Sequence, residues 1–208
     1  MIPFVDLHAQ YSGIKSEIDA AIKECIQEGN FIKGKAVSDF ETAFAGYLGA
    51  QYCVGCGNGT DALEIILASL NIGPGDEVIV PALTWIATAE AVNNVGAEPV
   101  FVEINSMTYT IDYSRIEEKV TKKTKAIIPV HLYGNPCHMK EIMDIAKENE
   151  LYVIEDATES LGAKFNGKHT GVFGNFGCFS FNGNKLITTG GGVWLLAIIL
   201  IALSILDI

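Results

Sequence analysis

Two side chains in this sequence, Lys185 and Asp156, have types and positions that suit chemistry between an amine and a carbonyl group. Asp156 follows Glu155 at the end of the apolar run 151–154, where a buried strand should stop. A lysine can form a Schiff base with an aldehyde, and a carboxylate can keep the nitrogen of a pyridine ring protonated. The pair therefore predicts a site for pyridoxal 5'-phosphate.

The phosphate of such a cofactor needs its own binding element, and Gly57-Asn58-Gly59-Thr60 has suitable residues. These residues precede a helical pattern at 61–70. The first amides of a helix have no internal partner, glycines let the backbone approach an anion, and Thr60 adds a hydroxyl. An ordinary N-cap turn that Thr60 and Asp61 satisfy is the alternative interpretation.

The other candidate residues also have simpler interpretations when each is taken alone. Trp85, just after a predicted strand, could stack on an aromatic cofactor or pack in the core. Asp156 could cap a helix, and Lys185 could be a surface lysine. Together, however, they favour the cofactor-binding interpretation, because one rim would then hold a phosphate-binding turn, a stacking ring, an acid and a lysine.

The elements that must position these residues alternate between helical and strand patterns. Isoleucines spaced four apart before Gly29 indicate an amphipathic helix. Further helices are predicted at 37–49, 61–70, 84–94, 116–120 and 139–149. Strands are predicted at 52–54, 77–80, 99–104, 126–130, 151–154 and 177–181, with a hairpin at 163–171 around Asn166-Gly167.

This alternation predicts an α/β fold with a largely parallel sheet covered by helices on both faces. In such sheets, ligands bind outside the carboxyl ends of the strands. The turns at 57–60, 81–85, 131–134 and 156–159 all follow predicted strands. We therefore expect them to share one rim.

Composition narrows the possible classes of protein. A net charge of −11 argues against nucleic acid as a partner, because binding to phosphate backbones needs concentrated Lys and Arg. The first residues lack the basic and long apolar regions of a signal peptide. Five irregularly spaced cysteines do not suggest a disulfide framework, so the reducing cytoplasm is the expected location.

Several motifs follow one another along the chain. They are Phe31-Ile32-Lys33-Gly34, Asn58-Gly59-Thr60-Asp61-Ala62-Leu63, Gly75-Asp76-Glu77-Val78-Ile79-Val80-Pro81, Pro129-Val130-His131-Leu132-Tyr133-Gly134, Glu155-Asp156-Ala157 and Ser180-Phe181. In this order they resemble the DegT/DnrJ/StrS family of sugar aminotransferases, and the resemblance covers residues 1 to about 192. The resemblance implies the large domain of a fold-type I transferase that depends on pyridoxal phosphate.

The resemblance also implies a role for each matching residue. Lys185 matches the Schiff-base lysine, Asp156 the partner of the ring nitrogen, and Trp85 the stacking aromatic. The residues that bind the cofactor phosphate in the family correspond to Gly59, Thr60 and Ser180. Glu159 falls where many members carry Gln or His facing the phenolic oxygen of the cofactor, and a carboxylate there would need to be protonated or screened.

Within the family, the stretches 155–162 and 181–185 resemble the branch that aminates carbon 4 of nucleotide-linked 4-keto-6-deoxy sugars, which includes perosamine synthases and the legionaminic-acid enzyme LegC. The implied reaction has two half-reactions with ping-pong kinetics, in which an amino donor such as glutamate is consumed first. Lys185 moves the proton in each half-reaction. Relatives with histidine in place of this lysine are dehydratases, so Lys185 argues against that chemistry. A homodimer is expected.

The sequence departs from the family pattern near its end. From Val193 to Leu206 it is apolar apart from Ser204, and it lacks a regular period. We expect residues 1–192 to form an incomplete large domain without the small C-terminal domain, and 193–208 to be a non-family tail from a shifted reading frame. A membrane anchor is the rival, although the run is shorter than the roughly 17–25 residues of a spanning helix. Little or no activity is expected from this chain.

Other classes of function stay open. Cys53 and Cys56 form a Cys-x-x-Cys that could do redox work or bind zinc with Cys137 and His138. They could also be buried thiols without a metal. His131 could be catalytic or a hydrogen-bonded structural residue. A non-catalytic remnant that only dimerises or binds a nucleotide sugar is a further alternative.

Overall fold

The computed structural model of the chain describes residues 6–29, 32–189 and 197–201. Its helices are α1 (Leu7–Glu28), α2 (Lys35–Leu48), α3 (Gly59–Ser69), α4 (Ala87–Asn94) and α5 (Met139–Glu148). Its strands are β1 (Tyr52–Cys56), β2 (Glu77–Pro81), β3 (Glu98–Val102), β4 (Thr124–Ile127), β5 (Tyr152–Asp156), β6 (Lys164–Phe165), β7 (Lys168–His169), β8 (Phe176–Phe179) and β9 (Ala197–Ile201). The predicted α/β alternation is thus present in the fold.

Seven strands form one sheet in the order β1-β9-β8-β5-β4-β2-β3. The neighbours from β8 to β3 are all parallel. β9 lies antiparallel between β8 and β1. Because β1 and β8 are both antiparallel to β9, they run in the same direction, and their carboxyl ends meet at the edge where β2 and β5 also end.

The strand β9 was not predicted. Its residues belong to the apolar segment that we expected to be a non-family tail. All five pair with β1, and four of them also pair with β8. A short continuous apolar run is typical of a strand buried on both faces, and periodicity cannot reveal such a strand. The rest of that segment lies outside the described residues, so its origin stays a prediction.

Glycine sets the ends of two helices. α1 ends at Gly29 and α2 at Gly49, both in the left-handed region, as the sequence predicted. Other predicted boundaries were wrong. α4 begins at Ala87 rather than Thr84. The helix predicted at 116–120 is instead a pair of 3₁₀ turns, Tyr113–Arg115 and Glu117–Lys119.

The core has a layer on each face of the sheet because adjacent side chains in a strand point to opposite faces. In β2, Val78 and Val80 pack with α3 and α4, whereas Ile79 packs with α5. β5 repeats the arrangement, with Ile154 on the first face and Val153 on the second. Strands covered on both faces explain why these segments are continuously apolar rather than alternating.

α1 forms as predicted, but it has no buried residue. Its isoleucine stripe is exposed, with Ile26 at 60% of its possible accessible area. No helix in the described part of the chain is long and apolar enough to cross a membrane.

Candidate active site

The four predicted turns meet at the carboxyl edge of the sheet. A cavity of about 310 Å³ opens there, and every residue predicted for the site lines it. Those residues are Gly59, Thr60, Trp85, Asp156, Glu159, Ser180 and Lys185. The turn at 131–134 reaches the same place, because the Tyr133 amide donates to Glu159 Oε2 at 3.0 Å.

Asn58, not Thr60 or Asp61, caps helix α3. Its side chain accepts a hydrogen bond from the Asp61 amide at 3.0 Å, so the N-cap interpretation assigned the cap to the wrong residues. The cap takes the Asp61 amide, and the first helical amides, at Gly59 and Thr60, lie at the cavity. A Cβ added to Gly59 would lie 3.1 Å from the Thr158 methyl group, so glycine lets the turn pack closely against the strand ends.

Ser180 is positioned by the two phenylalanines beside it. Phe179 and Phe181 are buried in a cluster with Phe44 and Leu48 of α2. Phe179 meets Phe44 edge to face, with ring centroids 5.3 Å apart. Because extended chain alternates its side chains, anchoring both neighbours turns Ser180 towards the cavity.

Asp156 is buried and held by threonines from two elements. Its Oδ1 accepts from the Thr158 amide at 3.2 Å and from the Thr158 hydroxyl at 2.7 Å. Its Oδ2 accepts from the Thr88 hydroxyl of α4 at 2.9 Å. These bonds orient a carboxylate at the cavity wall, so the helix-cap interpretation of Asp156 was wrong.

Lys185 is not a surface lysine. Its side chain is 17% exposed, and its Nζ lies 3.5 Å from Glu159 Oε1. Glu159 thus touches the ammonium group with one oxygen and accepts the Tyr133 amide with the other. Tyr133 adopts a φ of 52°, in the left-handed region, and that conformation directs its amide to Glu159.

Trp85 is not packed in the core, since it is 75% exposed while lining the cavity. It lies one turn before Thr88, whose amide donates to Trp85 O at 3.2 Å. One short segment therefore supplies an aromatic face to the cavity and a donor to Asp156.

Glu155, on the opposite side of β5 from the cavity, is a buried structural acceptor. It is fully buried and accepts hydrogen bonds from the Gly171, Phe173 and Gly174 amides at 2.8, 2.5 and 2.7 Å. His131 Nε2 is 2.9 Å from its Oε2. Sequence reasoning missed this role, because a single buried acid gives no periodic signal.

The sequence left two interpretations of His131 open, a catalytic residue and a hydrogen-bonded structural residue, and its contacts favour the structural one. It is fully buried, and its Nδ1 accepts the Cys137 amide at 3.0 Å. The ring proton is therefore on Nε2 and is donated to Glu155. His131 fixes the 131–137 loop behind the site.

Cys53 and Cys137 show the features of buried thiols, whereas Cys56 is partly exposed. Cys53 lies in the core, and burial raises its pKa to about 12, so it stays protonated. Cys137 donates its thiol hydrogen to Val130 O at 3.1 Å. Among the described residues, no group of three or more His, Cys, Asp or Glu side chains could hold a metal ion.

The donor set fits pyridoxal phosphate. Helix amides with the Thr60 and Ser180 hydroxyls suit a phosphate, a buried carboxylate suits the ring N–H, and an amine suits the aldehyde. A side chain at Gly59 would need the Thr158 methyl group to move by a few tenths of an ångström, so the phosphate turn is tightly packed at this glycine. The cavity volume is in the range of small-molecule sites, about 300–1,000 Å³.

Sequence comparison gives the same interpretation. The profile of the DegT/DnrJ/EryC1/StrS aminotransferase family matches residues 12–196. The chain belongs to this family. A UDP-N-acetyl-3-dehydro-α-D-glucosamine 3-aminotransferase from Acidithiobacillus ferrooxidans is 47% identical over 91% of this chain and 52% of its own. A GDP-perosamine synthase from Caulobacter vibrioides is 49% identical over 76% of this chain and 43% of its own.

Solved structures confirm the fold class and the family's cofactor. DesV from S. venezuelae has a TM-score of 0.92 and 38% identity, covering 97% of this chain and 53% of its own. NtdA from Bacillus subtilis, solved with the cofactor PMP, has a TM-score of 0.88 and 35% identity, covering 97% of this chain and 45% of its own. The chain therefore spans about half the length of the relatives it matches.

The Glu159–Lys185 contact gives a first prediction. Replacing Glu159 with Gln should strengthen binding of pyridoxal phosphate several-fold. The neutral amide removes the ionic partner of Lys185, so the amine is freer to react, and it removes a negative charge that would repel the phenolic oxygen of the cofactor. Absorbance titration of both proteins with the cofactor measures this. Glu141→Gln, which changes a glutamate on α5, is the control; weaker binding by the Glu159 variant would contradict the prediction.

Proposed function

We propose that this chain carries the cofactor-anchoring half of an aminotransferase that moves an amino group from glutamate to a nucleotide-linked keto sugar. The observation that supports this most is the convergence of Lys185, Asp156 and the Gly59-Thr60 turn on one cavity. When bound, the cofactor supplies an electron sink that lets a carbon next to nitrogen lose its proton.

Each residue has a physical task in this proposal. The Gly59 and Thr60 amides, with the Thr60 and Ser180 hydroxyls, bind the phosphate at the start of α3. Trp85 would cover a face of the ring, and Asp156 would accept a hydrogen bond from the protonated ring nitrogen. The Lys185 amine would hold the cofactor through its aldehyde and, once displaced by the amino donor, would move a proton at the reacting carbon.

We also propose which carbon of the sugar receives the amino group. We place it at carbon 4 of a 4-keto-6-deoxy sugar because stretches 155–162 and 181–185 resemble that branch of the family. Relatives named for 3-amino sugars and for perosamine reach similar identities of 47% and 49%, so overall identity does not choose between them. A non-catalytic remnant that only dimerises or binds a nucleotide sugar is the competing proposal.

Borohydride reduction followed by turnover assays tests the proposal. The purified chain is incubated with pyridoxal phosphate, reduced and digested, and mass spectrometry should find the cofactor on the Lys185 peptide. Glutamate is then offered with 3-keto and 4-keto nucleotide sugars. Absence of any adduct on Lys185 would overturn the proposal and favour the remnant. An adduct without turnover would show that this chain anchors the cofactor but does not complete the reaction.

Three further predictions concern the oligomeric state, the cellular location and the activity of this chain. Light scattering tests the homodimer, which would cover apolar surface such as the α1 stripe. Fractionation of cells tests the cytoplasmic location. The comparison of turnover with a full-length relative tests whether the 208-residue chain has little or no activity.

A further inference from the structure

The carboxylate of Asp156 has its two oxygens in different environments. Oδ1 accepts two hydrogen bonds from Thr158, which fills its usual capacity. Oδ2 accepts one, from Thr88, and keeps one acceptor position. Since Asp156 lines the cavity, Oδ2 is the oxygen that remains for a cationic N–H there.

Thr88 is suited to holding this oxygen in place. It is fully buried in the first turn of α4, where its hydroxyl is 3.1 Å from the Thr84 hydroxyl and 2.9 Å from Asp156 Oδ2. A chain of hydroxyls thus runs from Thr84 through Thr88 to the carboxylate. Because Thr158 bonds only to Oδ1, Thr88 and Thr158 hold opposite ends of the group and stop its rotation.

We propose that Thr88 is a positioning residue, which fixes Asp156 Oδ2 so that it meets the ring N–H of the cofactor. This rests on the proposed function. Without the Thr88 hydroxyl, the buried oxygen loses a donor, and the carboxylate can turn about its last side-chain bond. The ring nitrogen then meets an acceptor that is less well aligned.

The test compares the 208-residue chain with three variants in absorbance titrations with pyridoxal phosphate. Thr88→Val keeps the shape but removes the donor, and should weaken cofactor binding about 10-fold, as expected for a hydrogen bond to a charged group. Thr88→Ser restores the hydroxyl and should bind within about 2-fold of the parent. Thr110→Val, which removes a buried hydroxyl bonded to Thr108 outside the cavity, should bind like the parent.

A spectroscopic measurement separates positioning from general loss of structure. The absorbance band of the cofactor attached to Lys185 is titrated with pH in each variant. In Thr88→Val its midpoint should move to higher pH, because a less strongly protonated ring withdraws less electron density from the attached nitrogen. In Thr88→Ser the midpoint should return. Should Thr88→Val fail to fold, Thr88→Ala replaces it.

The outcomes distinguish failure of the proposed function from failure of the role of Thr88. If the parent chain forms no adduct with the cofactor, both the proposed function and the role of Thr88 are wrong. If the parent binds but Thr88→Val has the same affinity and the same pH midpoint, only the role of Thr88 is wrong. A loss of affinity that Thr88→Ser does not restore would also overturn the positioning role.

Discussion

Replacing Lys185 with alanine is expected to remove covalent cofactor attachment completely and to lower any transamination at least about 10³-fold. No other lysine lines the cavity, as far as the structure describes it, so no amine can take over. Borohydride reduction, digestion and mass spectrometry measure the attachment, and a coupled assay for 2-oxoglutarate measures the reaction.

Lys185→Arg is the matched variant for this experiment. Arginine keeps a cation beside Glu159 but cannot form a Schiff base, so it should fold like the parent and still lack the adduct. Lys140→Ala, which removes an exposed lysine of α5 paired with Asp144, should leave attachment unchanged. A cofactor adduct on the Lys185→Ala chain would show that another residue is the anchor.

Replacing Glu155 with glutamine is expected to lower the free energy of unfolding by about 3 kcal/mol. Each carboxylate oxygen faces two donors, so the amide nitrogen of glutamine would oppose hydrogens in either orientation. His131 cannot change to relieve this, because its Nδ1 already accepts the Cys137 amide. Urea denaturation of the cofactor-free chain measures the change.

An exposed glutamate supplies the control for Glu155. Glu118→Gln, on the 3₁₀ turn at 117–119, makes the same chemical change in solvent and should alter stability by less than about 0.5 kcal/mol. If Glu155→Gln also costs less than that, the four donors do not depend on this carboxylate. The 171–174 loop would then be held by other contacts.

The sequence predicted the site better than it predicted the edges of the elements that carry it. Asp156 ends β5, a strand that is buried along nearly its whole length, and Gly59-Thr60 follow β1. The rule for parallel sheets then places both turns at one edge. Lys185 follows no such pattern, and only its chemistry and the family resemblance assigned it to the site. Its position depends on the cluster around Phe179 and Phe181, which is formed by residues far apart in sequence.

What the sequence could not supply depends on tertiary contacts. Thr88 and Thr158 are ordinary threonines until α4 and β5 are brought together, and the hydrogen bond between Thr88 and Asp156 spans 68 positions. Glu155 resembles a solvent-exposed acid until the 171–174 loop folds over it. β9 was missed because a short apolar run has no period that distinguishes a strand from any other buried segment.

The pairing of β9 links its backbone to the proposed phosphate site. One of its edges bonds to β1, which leads into the Gly59-Thr60 turn, and the other bonds to β8, which leads to Ser180. In the described sheet, β9 is the only strand joining these two walls. The spacing between the amides and the hydroxyl that would bind a phosphate is therefore set by the pairing of a third strand. Misfolding of 197–201 would weaken phosphate binding although every predicted phosphate ligand is still present in the chain.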